Sequence, residues 1–374
     1  MVANSQAGQR IAKLTSLPDA LAVIDALTRP VEPSEADIGA AVGRVLAADV
    51  IAVAGRPATA VALHDGWAVK SAETIDAGSY APAMLSALPR QVDAGEPLPA
   101  GADAVAALDI ITVRGTQAEA LAVVAPGEGV LPAGADMEAG STLRSAGERL
   151  RATDLTLLPA ANISRVSIRE PRIRLVRARA IAGGYDWLAA ALAAEGAAVI
   201  ADAGGESAPD HQEAAFRHEG SDAILVLGGT GNGMQDTSVT TLARAGRVAF
   251  HGLGLIPGET AAFGSVGART VLLLPERFDA ALAAWLTVGR HWLQKLSGSG
   301  EEDRIFTAQL TRKVTSTVGM AEVVPVRCHA GNAEPLASGY LSHAALARAD
   351  GWILIPPESE GYPAGTPVAV RPLP

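Results

Sequence analysis

The chain has 374 residues, of which 49% are hydrophobic and 19% charged, with a formal net charge of −10 and a single cysteine. At roughly 150 residues per domain, this length predicts two or three domains. A single cysteine excludes an internal disulfide and a thiolate metal cluster. The acidic balance argues against nucleic-acid binding, which depends on lysine and arginine at phosphates. No apolar run approaches the ~20 residues of a membrane span, so we predict a cytoplasmic protein without membrane contact.

The first part of the chain changes from helical to strand-like spacing. Leu17–Leu27 has apolar residues at helical spacing, and Pro33–Ala48 predicts a second helix with Ser34 as its N-cap. From Val50 to about Pro126, short apolar pieces broken by Gly, Pro and Asp are typical of a small β-rich module. A further helical piece is predicted at Thr153–Ala161.

From Pro171 onward, strand and helix patterns alternate, which predicts a parallel sheet covered by helices on both faces. Short strands return after Gly300 and predict a terminal all-β module, with Ser297–Asp303 as the best linker by composition. The predicted α/β strands are Arg172–Ala178, Ala197–Gly204 and Asp222–Gly229, and the helices are Tyr185–Ala197, His211–Glu219 and Ser238–Arg244. The predicted terminal strands lie within Thr307–Ser316, Ala321–Ala330, Gly351–Pro357 and Pro367–Leu373.

A glycine-rich segment, VLGGTGNGMQD (Val226–Asp236), follows a predicted buried strand and precedes a helix. Open α/β sheets bind ligands at such positions, where backbone N–H groups and a helix N-terminus can hold an anion. Neither the P-loop nor the G-x-G-x-x-G spacing is present. Asp236 would repel a bare phosphate, which favours a metal ion or the N–H donors of a ligand ring. The alternative interpretation is a tight turn with Asp236 as a helix cap.

Other polar residues have simpler interpretations. Asp65, in HDGW, either begins a turn with Gly66 or is displayed for chemistry. His211 and His218 lie on one face of a predicted helix, but without further ligands they are interpreted as solvated surface residues. Ser207 and Asp210, next to His211, lack the G-x-S-x-G context of a hydrolase. Cys328 is interpreted as structural.

Taken in order, seven segments resemble MoeA-type proteins, the molybdopterin molybdenumtransferases related to the C-terminal part of gephyrin. The resemblance covers the chain from about Leu17 to Leu373. The segments are SEADIGAAVGRVLAADV, ALHDGWAVKSA, AGEPLPAGADAV, GEGVLPAGADMEAGSTLRSAGERLRATDL, LVLGGTGNGMQD, IPGETAAFG and ALARADGWILIPPESEGYPAGTPVAV.

The resemblance implies an elongated, multidomain α/β plus β protein. Its expected parts are a helical and extended hub, a β-rich lobe, a three-layer α/β molybdopterin-binding domain like that of molybdopterin adenylyltransferases (MogA-like), and a C-terminal β-barrel. Together with the changes in periodicity, this predicts the hub at 9–52 and 127–170, the lobe at 53–126, the α/β domain at 171–298 and the barrel at 304–374.

The activity that the resemblance implies is insertion of molybdate into adenylyl-molybdopterin, with Mg²⁺ as the metal. It also implies a homodimer with the cleft between subunits, and a molybdopterin adenylyltransferase or a molybdoenzyme as protein partner. Asp65, Asp136 and Asp236 match the catalytic aspartates of the family motifs, and Asp65 and Asp236 also match the metal ligands. The residues that match the cofactor-binding loop are Gly228, Gly229, Thr230, Gly231, Asn232 and Gly233.

The chain also departs from the family motifs. Ile256 and Glu259 replace the two lysines of K-P-G-K-P, and the acidic T-G-D-E-L turn is absent. These losses favour an alternative function, a catalytically impaired protein that binds or carries molybdopterin or the finished cofactor. His64 and His251 are candidates to replace a lost cation. The other replacements are Leu131 and Ala135 for an Arg and a Glu, Ala94 for a Thr, and Glu276, Arg277 and Phe278 for the P-G-N-P turn.

Overall fold

The computed structural model describes residues 9–178, 184–201, 209–301 and 304–373. These residues form two compact units. The first takes in the described residues of Met1–Ala48, Ala146–Ala152 and Arg165–Pro374, and the second consists of Asp49–Ser145 and Thr153–Ser164. Within the described ranges, no helix is both long enough and apolar enough to cross a membrane.

The first helix of the first unit is confirmed as α1 (Leu17–Leu27). Ser16 is its N-cap, and the hydroxyl oxygen of Ser16 accepts a hydrogen bond from the Asp19 backbone N–H at 3.2 Å. The apolar stripe of α1 is buried at Leu17, Ala20 and Ile24. Local periodicity therefore predicted both this helix and its buried face.

The second predicted helix is wrong. Residues 33–48 form β1 (Ser34–Asp37), a single turn of helix α2 (Ile38–Ala41) and β2 (Val45–Leu46). Residues 165–169 pair with both β1 and β2 in antiparallel register. Gly43 has φ +81°, a left-handed conformation that stops α2. Strand pairing across more than a hundred residues therefore outweighs the local helical pattern.

The second unit contains short strands in small antiparallel sheets, as the Gly- and Pro-rich pattern predicts. Its sheets have the orders β6-β10-β9, β7-β5-β8, β11-β4 and β12-β3, and the predicted helical piece is α3 (Asp154–Ala160). The strands are β3 (Val50–Ile51), β4 (Val61–Ala62), β5 (Gly66–Val69), β6 (Ala83–Met84), β7 (Arg90–Val92), β8 (Ala104–Ala106), β9 (Ile111–Arg114), β10 (Gln117–Ala120), β11 (Val130–Leu131) and β12 (Thr142–Arg144).

After β13 (Arg165–Arg169), which pairs with β1 and β2, the first unit continues as a six-stranded α/β sheet with flanking helices. The strands of this region are β14 (Arg172–Arg177), β15 (Ala198–Ala201), β16 (Ala223–Leu227), β17 (Arg247–His251), β18 (Leu255–Ile256), β19 (Ala262–Val266) and β20 (Arg269–Leu274). The helices are α4 (Gly184–Ala194), α5 (Pro209–Arg217), α6 (Ser238–Ala245), α7 (Phe278–Ala284) and α8 (Arg290–Ser297), with a π-helical stretch, Trp285–Gly289, between α7 and α8.

The α/β sheet has the strand order β15-β14-β16-β20-β19-β17. Its first four strands are parallel, with β16 in the centre as predicted. The expectation of a wholly parallel sheet is wrong at one edge, because β19 pairs antiparallel with both β20 and β17. Gly267, at φ +60°, lies in the tight connection that reverses the chain between β19 and β20.

Successive residues of the central strands are buried on opposite faces of this sheet. Leu225 and Leu227 pack in the core that includes Trp285, whereas Ile224 and Val226 pack in the core that includes Phe216. A strand buried on both faces has apolar residues at every position, which accounts for the uninterrupted run in β16. The α/β region is therefore three-layered.

The C-terminal part of the first unit is a closed β-barrel. Within the described residues, five of its strands pair in the circular order β23-β24-β21-β27-β25-β23, and β18 pairs with β23 from outside. The remaining predicted boundaries between hub, lobe, α/β domain and barrel stay predictions. The elements are β21 (Phe306–Leu310), β22 (Val314–Thr315), β23 (Ala321–His329), β24 (Asn332–Pro335), α9 (His343–Leu346), β25 (Gly351–Ile355), β26 (Gly361–Tyr362) and β27 (Pro367–Pro372).

Candidate functional site

The glycine-rich loop, residues 228–236, leaves the carboxyl end of the central strand β16. The Gly228 N–H donates to the carbonyl of Leu274 at 3.0 Å, so the loop begins beside the end of β20. Gly228 and Gly229 have φ of +94° and +70°. A Cβ on Gly229 would also clash with the Ser238 hydroxyl, so this close turn requires glycine. The loop lies where parallel α/β sheets bind ligands.

The inner half of this loop, from Gly228 to Gly231, is largely buried and is held by side-chain hydrogen bonds. Thr230 is 1% exposed, and its hydroxyl lies 2.9 Å from the Thr260 hydroxyl. Nε2 of His251 lies 2.9 Å from the Thr230 carbonyl oxygen. Because a carbonyl only accepts, the Nε2–H group is the hydrogen-bond donor. The His251 imidazole therefore holds the loop in place, and its Nε2–H is engaged by a backbone carbonyl.

The outer half of the loop is exposed from Asn232 to Gln235. Oδ2 of Asp236 accepts a hydrogen bond from the Gly233 N–H at 2.8 Å, and the Asp236 N–H donates to the Gly233 carbonyl at 3.0 Å. A Cβ on Gly231 would lie only 2.7 Å from the same Asp236 oxygen. Asp236 therefore shapes its own loop and does not cap α6.

Sequence reasoning missed Gln9, which reaches the inner half of the loop from the N-terminal segment. Nε2 of Gln9 donates to the carbonyls of Gly229 at 2.7 Å and Gly231 at 2.8 Å. Its Oε1 accepts from the N–H groups of Val239 at 3.1 Å and Thr240 at 3.4 Å, in the first turn of α6. No local pattern marks Gln9, because the contact spans about 220 residues.

The IPGET segment, which resembles the K-P-G-K-P motif, lies at β18 and the turn after it. Ile256 is half-buried and pairs with Glu322 of β23. Glu259 is also half-buried, and its Oε2 accepts from the Gly258 N–H at 3.0 Å. The two positions therefore supply an alkyl group and a carboxylate, and neither supplies a cation.

Arg277, one of the three residues that replace the P-G-N-P turn, is a cation to which the sequence analysis assigned no role. It follows β20, and its Nη2 lies 2.6 Å from Oδ2 of Asp279. The hydrogen bond to Asp279 raises the pKa of the Arg277 guanidinium above its ordinary value, and the negative charge of Glu259 adds to that increase. Arg277 is thus a cation that is paired with Asp279 and lies in the electrostatic range of Glu259.

The remaining predicted site residues lie in the second unit. Asp65 is exposed in the turn before β5, and its Oδ1 accepts from the Ala94 N–H at 2.8 Å. Nδ1 of His64 lies 3.0 Å from the Asp65 carbonyl. Asp136 is also exposed and forms an ion pair with Arg56, with 3.4 Å between Oδ2 and Nε. Asp65 therefore lies in a turn, as one interpretation of the HDGW segment predicts, and a chemical role for its exposed carboxylate stays a prediction.

Among the residues that the structure describes, no group of three or more His, Cys, Asp or Glu is arranged to hold a metal ion. His218 is exposed, and its Nδ1 lies 2.8 Å from Nη2 of Arg174. Ser207 and the side chains of Asp210 and His211 lie outside the described residues. Cys328 lies on β23, where burial raises the pKa of its thiol.

Three family models match successive parts of the chain. The MoeA N-terminal region (domain I and II) matches residues 15–161, a model described as "Probable molybdopterin binding domain" matches 183–295, and the MoeA C-terminal region (domain IV) matches 307–373. This order of matches defines a class of protein. Its members have a β-rich N-terminal region, then a three-layer α/β domain of the molybdopterin-binding type, then a β-barrel. The chain belongs to the MoeA-type family of molybdenum cofactor biosynthesis proteins.

Individual relatives agree with this assignment. A protein of Methanocaldococcus jannaschii, provisionally named a molybdopterin biosynthesis protein, is 25% identical, and the match covers 90% of this chain and 91% of that one. The crystal structure of the molybdopterin biosynthesis MoeA protein of Pyrococcus horikoshii OT3 has a TM-score of 0.79 at 21% identity, covering 96% of this chain and 100% of that chain. A molybdenum cofactor biosynthesis protein of Pyrococcus furiosus has a TM-score of 0.63 at 19% identity over the same shares. The two structures support the fold.

Proposed function

We propose that this protein binds molybdopterin on the loop Gly228–Gly233 and inserts molybdate into the adenylylated form, as a MoeA-like transferase. The observation that carries this proposal is the position of the loop. It leaves the central strand of the domain that matches the molybdopterin-binding model, and its outer backbone is exposed. Asp236 lies beside that backbone and can accept hydrogen bonds from the amino group of a pterin.

The carboxylates fit Mg²⁺ as the metal of this reaction. Asp65 and Asp236 each use one oxygen for a backbone N–H and have a second oxygen to offer. Mg²⁺ is bound in proteins by one or two carboxylates together with waters and substrate phosphates, so each of these carboxylates is proposed as a ligand. The ion would neutralise charge on the phosphate oxygens during cleavage. Asp136, held by Arg56, is proposed as the third catalytic carboxylate.

We expect the protein to be a homodimer in solution. Asp65 belongs to the second unit and Asp236 to the first, and a family-type cleft combines such residues from two subunits. Light scattering at micromolar concentration should therefore give twice the monomer mass of 38.0 kDa. A monomer across that concentration range would contradict the shared cleft.

Asp236 provides the sharpest test of pterin binding. We expect Asp236→Ala to weaken molybdopterin binding about 10- to 100-fold, because it removes both the carboxylate and the acceptor of the Gly233 N–H. Asp236→Asn keeps an oxygen for that N–H and loses only the charge. Its affinity for molybdopterin should therefore lie between those of the unmodified protein and Asp236→Ala. Calorimetric titration of reduced molybdopterin measures all three proteins, with Asp350→Ala in the barrel as the control. Equal affinity in all of them would refute the proposed site.

A second candidate function is favoured by Glu259. Its half-buried carboxylate stands where the family has a lysine, which opposes binding of the molybdate dianion. On this alternative the protein holds molybdopterin or the finished cofactor and delivers it without inserting the metal. Incubation of the purified protein with adenylyl-molybdopterin, Mg²⁺ and molybdate distinguishes the transferase from the carrier. Release of AMP with active cofactor supports the transferase, and binding without AMP release supports the carrier.

A further inference from the structure

The Gln9 carboxamide occupies the inner half of the glycine-rich loop, and we propose that it is an internal occupant that the pterin ligand must displace. This inference rests on the function proposed above. Gln9 is 6% exposed, although Arg10 beside it is exposed. Most polar side chains that are buried in this way have their hydrogen-bonding groups satisfied.

The Gln9 side chain satisfies both polarities of the site at once. It donates to two loop carbonyls, those of Gly229 and Gly231, and accepts from two backbone N–H groups, those of Val239 and Thr240. A carboxamide has two N–H donors and one oxygen with two lone pairs, so its capacity is fully used. The site therefore recognises a planar group with N–H donors next to a carbonyl oxygen. The 2-amino-4-oxo edge of a pterin has the same pattern.

The N-terminus of α6 depends on Gln9 for its cap. The first N–H groups of a helix have no partner within the helix, and Thr237, the N-cap residue, makes no side-chain capping hydrogen bond. Gln9 supplies that cap from the distant N-terminal segment. A ligand that approaches the end of α6 must therefore compete with Gln9 for these N–H groups.

A short tether holds Gln9 in reach of the loop. Thr15 is fixed by two backbone hydrogen bonds, from its N–H to the Gly252 carbonyl at 2.9 Å and from the Gly254 N–H to its carbonyl at 2.7 Å. Ile11 and Lys13 pack against Gly252, where a Cβ would lie 2.5 Å from Cγ2 of Ile11. Release of Gln9 needs movement only of the residues before Thr15, so the occupant can leave and return without disturbing α1.

The affinity for molybdopterin distinguishes a Gln9 side chain that the ligand displaces from one that holds the loop permanently in place. Reduced molybdopterin is titrated anaerobically into the full-length protein, Gln9→Ala and the control Arg10→Ala. We expect Gln9→Ala to bind about tenfold more tightly, as for a binding-competent state that is about one-tenth populated in the unmodified protein. Arg10→Ala should bind like the unmodified protein. Equal or weaker binding by Gln9→Ala overturns the internal occupant and leaves the proposed function in place, whereas no binding by any of the three overturns both.

A second variant and a ligand-free measurement keep the test decisive if Gln9→Ala does not fold. Gln9→Glu retains oxygens for the α6 N–H groups but turns a carboxylate oxygen toward the two loop carbonyls, so it too should bind molybdopterin more tightly. Hydrogen exchange without ligand should be faster at Val239 and Thr240 in Gln9→Leu, which offers these amides no acceptor, than in the Arg10→Ala control. Unchanged protection of both amides would show that Gln9 is not their partner and would overturn the inference.

Discussion

Replacing Ile256 and Glu259 together with lysine is expected to strengthen molybdate binding about a hundredfold or more. The variant introduces two cations and removes one carboxylate in the segment that resembles the K-P-G-K-P motif. Each charge-assisted hydrogen bond contributes about 1.5–3 kcal/mol, so two correspond to about 3–6 kcal/mol, or roughly 10²- to 10⁴-fold in affinity. Arg277 already has Asp279 and Glu259 as counter-charges, so the unmodified protein should bind molybdate poorly.

A matched control separates local contacts from overall charge. Ile305→Lys with Glu358→Lys makes the same change of three charge units at two exposed positions in the C-terminal part of the chain. Calorimetric titration of molybdate should give weak binding for this control and for the unmodified protein. Tight binding by the unmodified protein would contradict the argument, and so would equal gains in the control and in the Ile256→Lys, Glu259→Lys variant.

Loss of the ion pair between Arg144 and Asp154 is expected to destabilise the second unit by about 3–5 kcal/mol. Asp154 is 1% exposed, and Arg144 reaches both of its oxygens, with Nη2 to Oδ1 at 2.8 Å and Nε to Oδ2 at 3.1 Å. Arg144→Leu leaves a buried carboxylate without this partner, and breaking a buried pair in this way is costly. Hydrogen exchange at β4 and β5 reports the local unfolding free energy of this unit.

Two further variants test whether the loss of stability comes from the burial of Asp154. Arg144→Leu combined with Asp154→Leu should recover most of the lost stability, because no buried charge remains. Arg172→Leu removes a pair with Asp222 in which the arginine side chain is 55% exposed, and should cost less than about 1 kcal/mol in the first unit. A loss of similar size in all three variants would contradict the assignment of the effect to the buried Asp154.

The sequence by itself determined the α/β region well, because local pattern and tertiary packing agree there. The strand β16 is apolar throughout because helices cover both faces of the sheet. The N-cap of α1 at Ser16 and its buried apolar stripe are both recognisable from the local sequence. The same agreement located the glycine-rich loop, because a glycine run after a buried strand has few other uses. The seven ordered motifs then identified the family.

Sequence pattern failed where a distant partner decided the local conformation. Residues 34–37 carry a helical pattern, yet pairing with residues 165–169 makes them a strand. Likewise β19 runs antiparallel to both of its neighbours, β20 and β17, because the chain reverses in a tight turn before β20, and an apolar run alone does not specify strand direction. Backbone hydrogen bonds between strands are made across the fold, so they leave little trace in a local window.

At the candidate site, the sequence determined which residues belong to the loop, and only the tertiary structure decided which other residues meet it. Asp236 was identified from its place in a motif, and its bond to Gly233 lies within the same loop. Gln9 carries no motif, and Arg277 was noted only as a replacement in the P-G-N-P turn. Gln9 reaches the loop across 220 residues, and Arg277, which follows β20, comes into the electrostatic range of Glu259, which follows β18. Their roles follow from side-chain chemistry at positions that only the folded sheet brings together.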